Sequence, residues 1–349
     1  MSELLATVVL AGGKGTRMGS SDKHKACFEV QGVPVILRAL ETYQHCGAQL
    51  NVVVVGMLAE SVKTTVNRRF PQTIYAFQDQ PLGTGDAARK GAEILQRMQF
   101  EGNVLVVAGD KVIAPHVIRY LLTTHERRGA DLTLATAKRP PQSSSGSLIK
   151  TAPGTILGIL EEPERQRLLA LASIQGAFSA NASLTCPTVE TLVAEHCPGR
   201  AGRRLLGEIW PSDQANGGLN REDFERLFSR EERRGQLKIG GKVFPASEIL
   251  SRFDQVNLST YLFRAPVLYA AMSKLKASRS SQEVYLTDIV EILAGRPEPA
   301  RVVDCEIENL CDLMAFNNPE ELLAIEAVYG QRQGESMPKA PSESGCPAR

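Results

Sequence analysis

The 349-residue chain has no apolar run that approaches the length needed to span a membrane. Its first residues, Met1-Ser2-Glu3, carry no basic flank of the kind found in signal peptides. The 40 lysines and arginines almost balance the 39 aspartates and glutamates, so the net charge is only +1. This balance argues against a broad surface for nucleic acid or anionic lipid. We therefore expect a cytoplasmic protein that binds neither nucleic acid nor a membrane.

The sequence also lacks the cysteine and histidine patterns of a zinc site. Its seven cysteines are odd in number and scattered, without a Cys-x-x-Cys pair, and its five histidines show no ligand spacing. This cysteine usage is typical of a reduced intracellular protein. With 43% hydrophobic residues, the chain can bury a full core as one large domain or two.

A glycine-rich stretch, Leu-Ala-Gly-Gly-Lys-Gly-Thr-Arg-Met-Gly at residues 10–19, follows an apolar run that indicates a buried strand. Its glycines let the backbone approach a ligand closely, and its two cations and hydroxyl favour phosphate binding. The stretch is not a dinucleotide fingerprint, because Met18 stands at the third glycine position, nor a Walker A loop, because Gly15 follows the lysine. By itself it could equally be a tight turn with surface charges.

Strand and helix patterns alternate after this stretch. Apolar segments at residues 51–56, 73–78, 103–108 and 131–137 indicate strands, and helical patterns at residues 34–46, 59–69, 84–98 and up to 128 separate them. Thr84 is placed to cap the third of these helices. The alternation predicts an α/β fold with a doubly wound, mostly parallel, Rossmann-like sheet. Such sheets bind ligands at the carboxyl ends of their strands, where the glycine loop, residues 78–84 and Asp110 fall.

The second half of the chain is less regular. Short strands are expected at residues 147–150 and 155–161, followed by charged helical segments that indicate a helical insertion at residues 163–254. A strand at residues 255–263, helices from Pro266 and Leu286, and a last helix at residues 319–328 complete a domain of residues 1–329. Residues 330–349 are rich in Gly, Ser, Pro and Gln, which predicts a disordered tail.

Taken as an ordered set, these motifs resemble the sugar-1-phosphate nucleotidylyltransferases, in particular the uridylyltransferase domain of bacterial bifunctional N-acetylglucosamine-1-phosphate enzymes. The resemblance rests on the glycine loop, the Gln…Leu-Gly-Thr-Gly element at residues 78–85, Gly109-Asp110, the Gly-Ile-Leu-Glu run at residues 158–161, Val256-Asn257, the Glu-Val-Tyr-Leu-Thr-Asp run at residues 283–288, and Phe316-Asn317-Asn318. It covers residues 4–162 and 255–328, and the acetyltransferase β-helix of those enzymes has no counterpart.

The resemblance implies a GT-A-like fold and Mg²⁺-dependent transfer of a nucleoside monophosphate from an NTP, in the first place UTP, to a sugar 1-phosphate such as N-acetylglucosamine 1-phosphate. It assigns a site role to these residues: Arg17 and Lys25 as catalytic cations; Leu10, Ala11, Gly12, Gly13, Lys14, Gly15, Thr16, Gln78, Gly83 and Thr84 in nucleotide binding; Gly146, Glu161 and Asn257 in sugar binding; and Asp110 and Asn317 in metal binding. Asn317 also fits an ordinary helix start, and both interpretations stay open.

The chain departs from the family pattern at four places. His24 replaces a proline before Lys25, and Asp86 replaces the histidine that follows the Gln…Leu-Gly-Thr-Gly element at residues 78–85, here called the base loop. Lys111 follows Asp110, and the insertion lies inside the sugar-binding half. Two alternatives therefore stay open. One is a cytidylyltransferase with a non-sugar acceptor such as a polyol phosphate or molybdopterin. The other is a nucleotide-sugar-binding regulatory subunit without catalysis.

Arg17→Ala is expected to lower kcat more than it raises the KM for the sugar phosphate, because Arg17 is predicted to serve charge that develops on the transferred phosphate. Losing such a contact costs roughly 10²–10³ in rate. Steady-state kinetics with both substrates varied measure the effect. A change confined to KM would instead identify a contact made equally in the ground state and the transition state.

Overall fold

The computed structural model of the protein describes residues 4–13, 18–140, 143–151, 154–210, 218–234, 236–245, 254–278 and 283–336. Four residues of the glycine loop, Lys14, Gly15, Thr16 and Arg17, lie outside the described residues, so their proposed roles stay predictions. In the described part of the chain, no helix is both long enough and apolar enough to cross a membrane.

Seventeen strands and twelve helices are present in the described residues. The strands in chain order are β1 (Leu5–Ala11), β2 (Glu29–Val30), β3 (Val33–Pro34), β4 (Ala48–Val55), β5 (Ile74–Phe77), β6 (Asn103–Ala108), β7 (Lys111–Ile113), β8 (Leu132–Lys138), β9 (Ser147–Lys150), β10 (Ile156–Leu160), β11 (Ser183–Leu184), β12 (Leu219–Asn220), β13 (Gln236–Ile239), β14 (Lys242–Pro245), β15 (Gln255–Arg264), β16 (Val302–Glu306) and β17 (Leu313–Ala315). The helices are α1 (Val35–His45), α2 (Ala59–Asn67), α3 (Thr84–Arg97), α4 (Pro115–Arg128), α5 (Glu162–Ala177), α6 (Cys186–His196), α7 (Gly199–Ile209), α8 (Arg221–Leu227), α9 (Arg230–Arg233), α10 (Ala265–Met272), α11 (Asp288–Ala294) and α12 (Pro319–Ser336).

A nine-stranded mixed sheet forms the centre of this part of the chain. Its main path runs β10-β9-β15-β6-β1-β4-β5, while β8 pairs with β15 and β16 pairs with β8. Strand β1 is parallel to both β4 and β6, and β5 is parallel to β4. Strand β15 is antiparallel to β6 and β8. The predicted α/β fold with a mostly parallel, doubly wound sheet is confirmed.

Helices cover both faces of the sheet, because successive residues of a strand point to opposite sides. Val8 of β1 packs in the cluster that contains Leu95 of α3, together with buried residues of α10 and α11. Its neighbour Val9 packs in the opposite cluster with Leu40 of α1, together with buried residues of α2 and α4. The central strands are therefore apolar on both faces, as the unbroken apolar segments of the sequence predict.

The insertion is mixed rather than purely helical. Helices α5 to α8 enclose a separate core around Phe178, Phe224 and Phe228. The strands β13 and β14 then form an antiparallel hairpin that the helical prediction missed. Ile239 of this hairpin lies against Gly158 of β10, where a Cβ atom would approach Ile239 Cδ1 to 2.4 Å. The hairpin is thus seated directly on the sheet, and this contact requires the missing side chain at residue 158.

The last helix extends further than the sequence pattern indicates. Helix α12 continues to Ser336, so residues 330–336 are helical where disorder is predicted. Tertiary contacts hold the helix just before the extension: the Arg38 guanidinium lies 4.4 Å from the centre of the Tyr329 ring, and Gln31 donates hydrogen bonds to Glu326. Residues 337–349 lie outside the described residues.

Gly91→Ala is expected to destabilise the protein by about 1–3 kcal/mol, because the new methyl group would lie 2.4 Å from Val8 Cγ1 in the packed α3–β1 contact. Gly207→Ala in α7 is the matched control, since among the described residues no side chain and no backbone from outside its own helical turn lies within 4 Å of its added Cβ. That variant should gain about 0.4–1 kcal/mol through reduced freedom of the unfolded chain. Urea denaturation measures both changes, and equal effects would contradict the packing argument.

Candidate functional site

The site begins where the parallel strands end. Gly12 follows β1 and lies so close to Gln78, which follows β5, that a Cβ on Gly12 would stand 2.6 Å from Gln78 Oε1. Gly56 follows β4, and a Cβ there would stand 2.7 Å from the Gly12 carbonyl oxygen. Three adjacent strand ends therefore converge in a space that admits no side chain at either glycine. The structure places the predicted nucleotide residues Leu10, Ala11, Gly12 and Gly13 at this edge.

His24 holds the glycine loop from the side. Its Nδ1 accepts a hydrogen bond from Ala26 N at 3.1 Å, so its Nε2 carries the proton and donates to the Gly13 carbonyl oxygen at 3.0 Å. Burial lowers the pKa of His24, although the hydrogen bond to Gly13 opposes this shift. The residue that replaces the family's proline thus joins the glycine loop to the short 3₁₀ helix Lys25–Cys27.

Lys25, Asp110 and Asn317 meet at the same edge. Lys25 Nζ forms a salt bridge with Asp110 Oδ2 and donates a hydrogen bond to Asn317 Oδ1 at 3.3 Å. The Lys25 and Asp110 side chains are only 14% and 20% exposed, so their charges interact with less screening than a surface pair. Burial lowers the pKa of the adjacent Lys111 ammonium, and the Asp110 charge opposes that shift. Three predicted residues are therefore in contact.

Strand pairing explains how Asn317 reaches Asp110. Strand β17 runs antiparallel to β7 with Ala315 opposite Lys111, so Asn317 is carried past the end of β7 to Asp110. The residue at the start of the helix is the neighbouring Asn318, whose Oδ1 accepts a hydrogen bond from Glu321 N at 2.8 Å. Asn317 Nδ2 donates to Glu321 Oε2 at 3.2 Å, which leaves Asn317 Oδ1 directed at Lys25.

The donor set at this point fits a hard cation. Asp110 Oδ1 is buried and has no hydrogen-bond partner among the described residues. A buried carboxylate oxygen without a partner is costly, and a metal ion would satisfy it. Mg²⁺ prefers oxygen ligands and often takes only one or two from the protein. The described residues hold no group of three or more His, Cys, Asp or Glu side chains suited to a metal.

Gln78 and Asp86 form a buried pair beside the glycine loop. Gln78 Nε2 donates to Asp86 Oδ2 at 2.9 Å and to the Gly83 carbonyl oxygen at 3.2 Å. Both side chains are buried, with 5% and 7% exposure. The predicted base-binding residues Gln78 and Gly83 are therefore in contact, through an aspartate to which sequence reasoning gave no role.

A short stretch of the chain, residues 284–287, connects the base loop to the predicted sugar site. Val284 N donates to Leu82 O at 2.7 Å, and Gly85 N donates back to Val284 O at 2.8 Å. Thr84 is the first residue of α3 and does not cap it; the cap position is Gly83, at φ 111°. Thr84 Oγ1 instead accepts a hydrogen bond from Leu286 N at 3.1 Å. The capping prediction for Thr84 was wrong because this tertiary contact occupies the hydroxyl.

The three predicted sugar residues lie together at the other end of this stretch. Thr287 Oγ1 donates to Glu161 Oε1 at 2.7 Å, and a Cβ on Gly146 would lie 3.4 Å from the Glu161 carboxyl. Asn257 N donates to the Gly146 carbonyl oxygen at 2.9 Å. The Asn257 side chain has internal partners, Tyr261 Oη and Ser259 N, and spans a register shift in β15. Its visible role is thus to hold this bulge.

Carboxylates crowd the acceptor side of the site. Burial raises the pKa of Glu161 and of Glu164. Burial, reinforced by the charges of Glu164, Glu291 and Glu161, raises the pKa of Asp288 to about 7. A cavity of ≈ 880 Å³ lies here between β10, α11 and the insertion. Ionising several of these groups together is therefore unfavourable near neutral pH.

Sequence reasoning missed the positioning residues of the site. His24 and Asp86 stood out only as departures from a family pattern, and Thr287 only as part of a motif. A sequence-level signal existed for two of them: His24 stands next to the predicted site residue Lys25, and Asp86 stands about one helical turn after Gly83. The partners themselves are distant in sequence, as with Thr287 and Glu161, and only the folded chain identifies them.

A mostly parallel sheet, a glycine loop at its edge and a half-buried lysine–aspartate pair beside that loop define the class: the protein is a nucleotidyltransferase. Residues 7–203 match the family model of the MobA-like NTP transferase domain, which is more than half of the chain. The chain belongs to this family.

Curated relatives and a solved structure agree with this class. Bifunctional protein GlmU of Geobacter metallireducens is 32% identical over 186 residues, covering 52% of this chain and 37% of that protein. The GlmU of Thermobifida fusca is 30% identical over 200 residues, covering 56% and 41%. The chain therefore spans less than half the length of these relatives. A crystal structure of UDP-glucose pyrophosphorylase complexed with UDP-glucose has a TM-score of 0.58 over 94% of this chain and 99% of that chain, at 13% identity, and shows the fold alone. The resemblance seen in the sequence is confirmed.

His24→Asn is expected to cost about 1 kcal/mol of unfolding free energy at pH 7.5, because the Gly13 carbonyl loses its donor. The folded-state pKa of His24 lies below its ordinary value, so its contribution is fully present above about pH 6.5 and is lost as the pH falls through the lower folded-state value. The difference between wild type and variant should therefore narrow from pH 7.5 to pH 5.

Urea denaturation at pH 7.5, 6 and 5 measures this difference. His45→Asn, at an exposed histidine whose Nδ1 lies 2.8 Å from the Glu41 carbonyl oxygen, controls for the substitution itself. A constant gap between wild type and the His24 variant across the pH range would contradict the predicted role.

Proposed function

We propose that the protein transfers a nucleoside monophosphate from UTP to a sugar 1-phosphate, with release of pyrophosphate. The observation that carries this proposal is the contact of Lys25 with both Asp110 and Asn317 beside the glycine loop. Phosphoryl chemistry of this kind requires two anions to be aligned and their charge neutralised, more than it requires covalent catalysis. A half-buried cation and hard oxygen donors at a proposed phosphate-binding edge match that need.

Lys25 is proposed to neutralise phosphate charge. Its ammonium is held at one end of its 3₁₀ helix, 5.3 Å from the centre of the Phe316 ring, and its present partners are oxygen atoms. Lysine acts as a point charge toward phosphate, whereas Arg17, a prediction from the sequence, would provide a planar fork. The N–H groups of the glycine loop, together with Lys14, Gly15 and Thr16, are proposed to bind the triphosphate.

Asp110 and Asn317 are proposed to hold Mg²⁺, which would supply positive charge to the phosphate oxygens when bound. Asp110 Oδ1, which has no hydrogen-bond partner in the part of the chain that the structure describes, supports this assignment, as does the orientation of Asn317, whose Nδ2 donates to Glu321. The base is proposed to lie against Gln78 and Gly83. The sugar, such as N-acetylglucosamine 1-phosphate, is proposed to lie by Gly146 and Glu161, with Asn257 shaping that pocket.

A panel of four nucleoside triphosphates against several sugar 1-phosphates, with pyrophosphate release as the readout, tests the proposal. We expect activity with Mg²⁺, a preference for UTP over CTP, and none above background after addition of a chelator. Gln78→Ala should weaken nucleotide binding and reduce the UTP/CTP preference, because the mismatched edge no longer leaves a polar group unpaired. Preference for ATP, GTP or CTP would reject the uridylyl assignment, and a lack of turnover with every pair would favour a regulatory protein.

Asp110→Ala is expected to abolish nearly all turnover while the protein stays folded. Asp304→Ala is the matched control, because Asp304 is also paired with a lysine, Lys150, and has a nearly equal exposure of 21% against 20% for Asp110. The control should retain wild-type kinetics. Metal-dependent turnover of Asp110→Ala at the wild-type rate would remove Asp110 from the site, whatever the effect on thermal stability.

A further inference from the structure

The orientation of the Gln78 amide is fixed by its neighbours. Its Nε2 faces two oxygen atoms, Asp86 Oδ2 at 2.9 Å and the Gly83 carbonyl at 3.2 Å. A carbonyl oxygen and an ionised carboxylate only accept hydrogen bonds, so the amide nitrogen must be on their side and both of its protons are used. Reversing the amide would bring three oxygen atoms together without a donor between them.

The amide oxygen consequently faces the opposite way, toward the nucleotide edge. Gln78 Oε1 lies against Gly12, where an added Cβ would approach it to 2.6 Å. The structure records no donor to this oxygen among the described residues. An amide side chain that carries both a donor and an acceptor is thereby reduced, at this edge, to an acceptor.

We propose that Asp86 is a specificity-determining positioning residue, which holds Gln78 so that a base must offer it an N–H group. This inference rests on the proposed function, in which Gln78 contacts the base. Uracil presents a single ring N–H, at N3, between two carbonyl oxygens. Cytosine presents a bare acceptor at the same ring position, which would face the Gln78 oxygen without a proton between them.

The position of Asp86 in the fold suits this role. It lies in the first turn of α3, three residues after the cap residue Gly83, and its backbone is fixed by the helix. Negative charge is favourable at a helix N-terminus. The helix position thus keeps the Asp86 carboxylate beside Gln78. A histidine, the residue that the family pattern carries here, can present either a donor or an acceptor to the same amide.

The test compares UTP, CTP and N3-methyl-UTP binding to the wild type and to Asp86→Asn, by isothermal titration calorimetry. N3-methyl-UTP lacks the N–H that the Gln78 oxygen is proposed to accept. Wild type should bind it at least about tenfold more weakly than UTP, the cost of one unmade hydrogen bond at a buried acceptor. Equal binding of the two by the wild type would overturn the inference without any variant being needed.

Asp86→Asn is nearly isosteric and can donate as well as accept, so Gln78 gains access to both amide orientations. We expect the UTP/CTP affinity ratio to fall roughly tenfold and the penalty for N3-methylation to shrink. Purely structural loosening would weaken all three nucleotides by the same factor and leave both ratios unchanged. Unchanged ratios would therefore overturn the inference.

Asp79→Asn is the control for charge, since Asp79 is the exposed neighbour of Gln78 and its loss removes one negative charge nearby. It should leave both ratios at their wild-type values. If the wild type prefers another triphosphate, the uridylyl assignment fails separately. A wild-type preference for CTP or ATP, whose bases offer no ring N–H at this position, would overturn the Asp86 inference as well. Guanine offers such an N–H, so with a wild-type preference for GTP a shift of that preference in Asp86→Asn supports the inference and no shift overturns it.

Discussion

The salt bridge between Lys25 and Asp110 is the interaction on which the site depends. The two side chains are only 14% and 20% exposed, so solvent screens their attraction less than at the surface. A hydrogen bond from Lys25 to Asn317 adds a third residue, 292 positions away in the sequence. A different structural element positions each residue: the 3₁₀ helix capped by His24 positions Lys25, the turn after β6 positions Asp110, and the β7–β17 pair positions Asn317. Removing one partner of such a pair leaves the other charge uncompensated. The cluster therefore constrains the geometry of three segments at once.

The same cluster contains a polar side chain of which only one of the two oxygen atoms has a partner among the described residues. Lys25 satisfies one oxygen of Asp110, while the other oxygen is buried without a partner among the described residues. Gln78 shows the same arrangement, with its nitrogen fully used and its oxygen directed at the nucleotide edge. Each residue is oriented by internal contacts, and each would keep one acceptor atom for the ligand proposed above. Preorganisation of this type avoids reordering side chains when the substrate binds.

The sequence predicts the central fold well because the relevant signals are local. Unbroken apolar runs such as residues 52–55 identify buried parallel strands, and the strand ends locate the glycine loop and Asp110. Short elements defeat this reasoning: β7 and β17 have three residues each, and only their mutual pairing makes them strands. The two asparagines at residues 317 and 318 are equivalent by pattern, and only the Glu321 contacts distinguish the cap from the residue that faces Lys25. The partners of Thr84 and Glu161, likewise, come from a distant segment.

The stretch of residues 284–287 acts as a ruler between the two halves of the site. One end is hydrogen-bonded to the base loop at Leu82 and Gly85, and the other end is bonded to Glu161 through Thr287. Three residue steps of extended chain span at most about 10–11 Å, and this covalent length cannot be stretched. The backbone itself thus limits the distance between the base loop and Glu161, and with it the distance between the proposed nucleotide and sugar sites. In the proposed sugar site, a longer acceptor with one more sugar unit would have to extend toward the insertion, where the structure has a cavity.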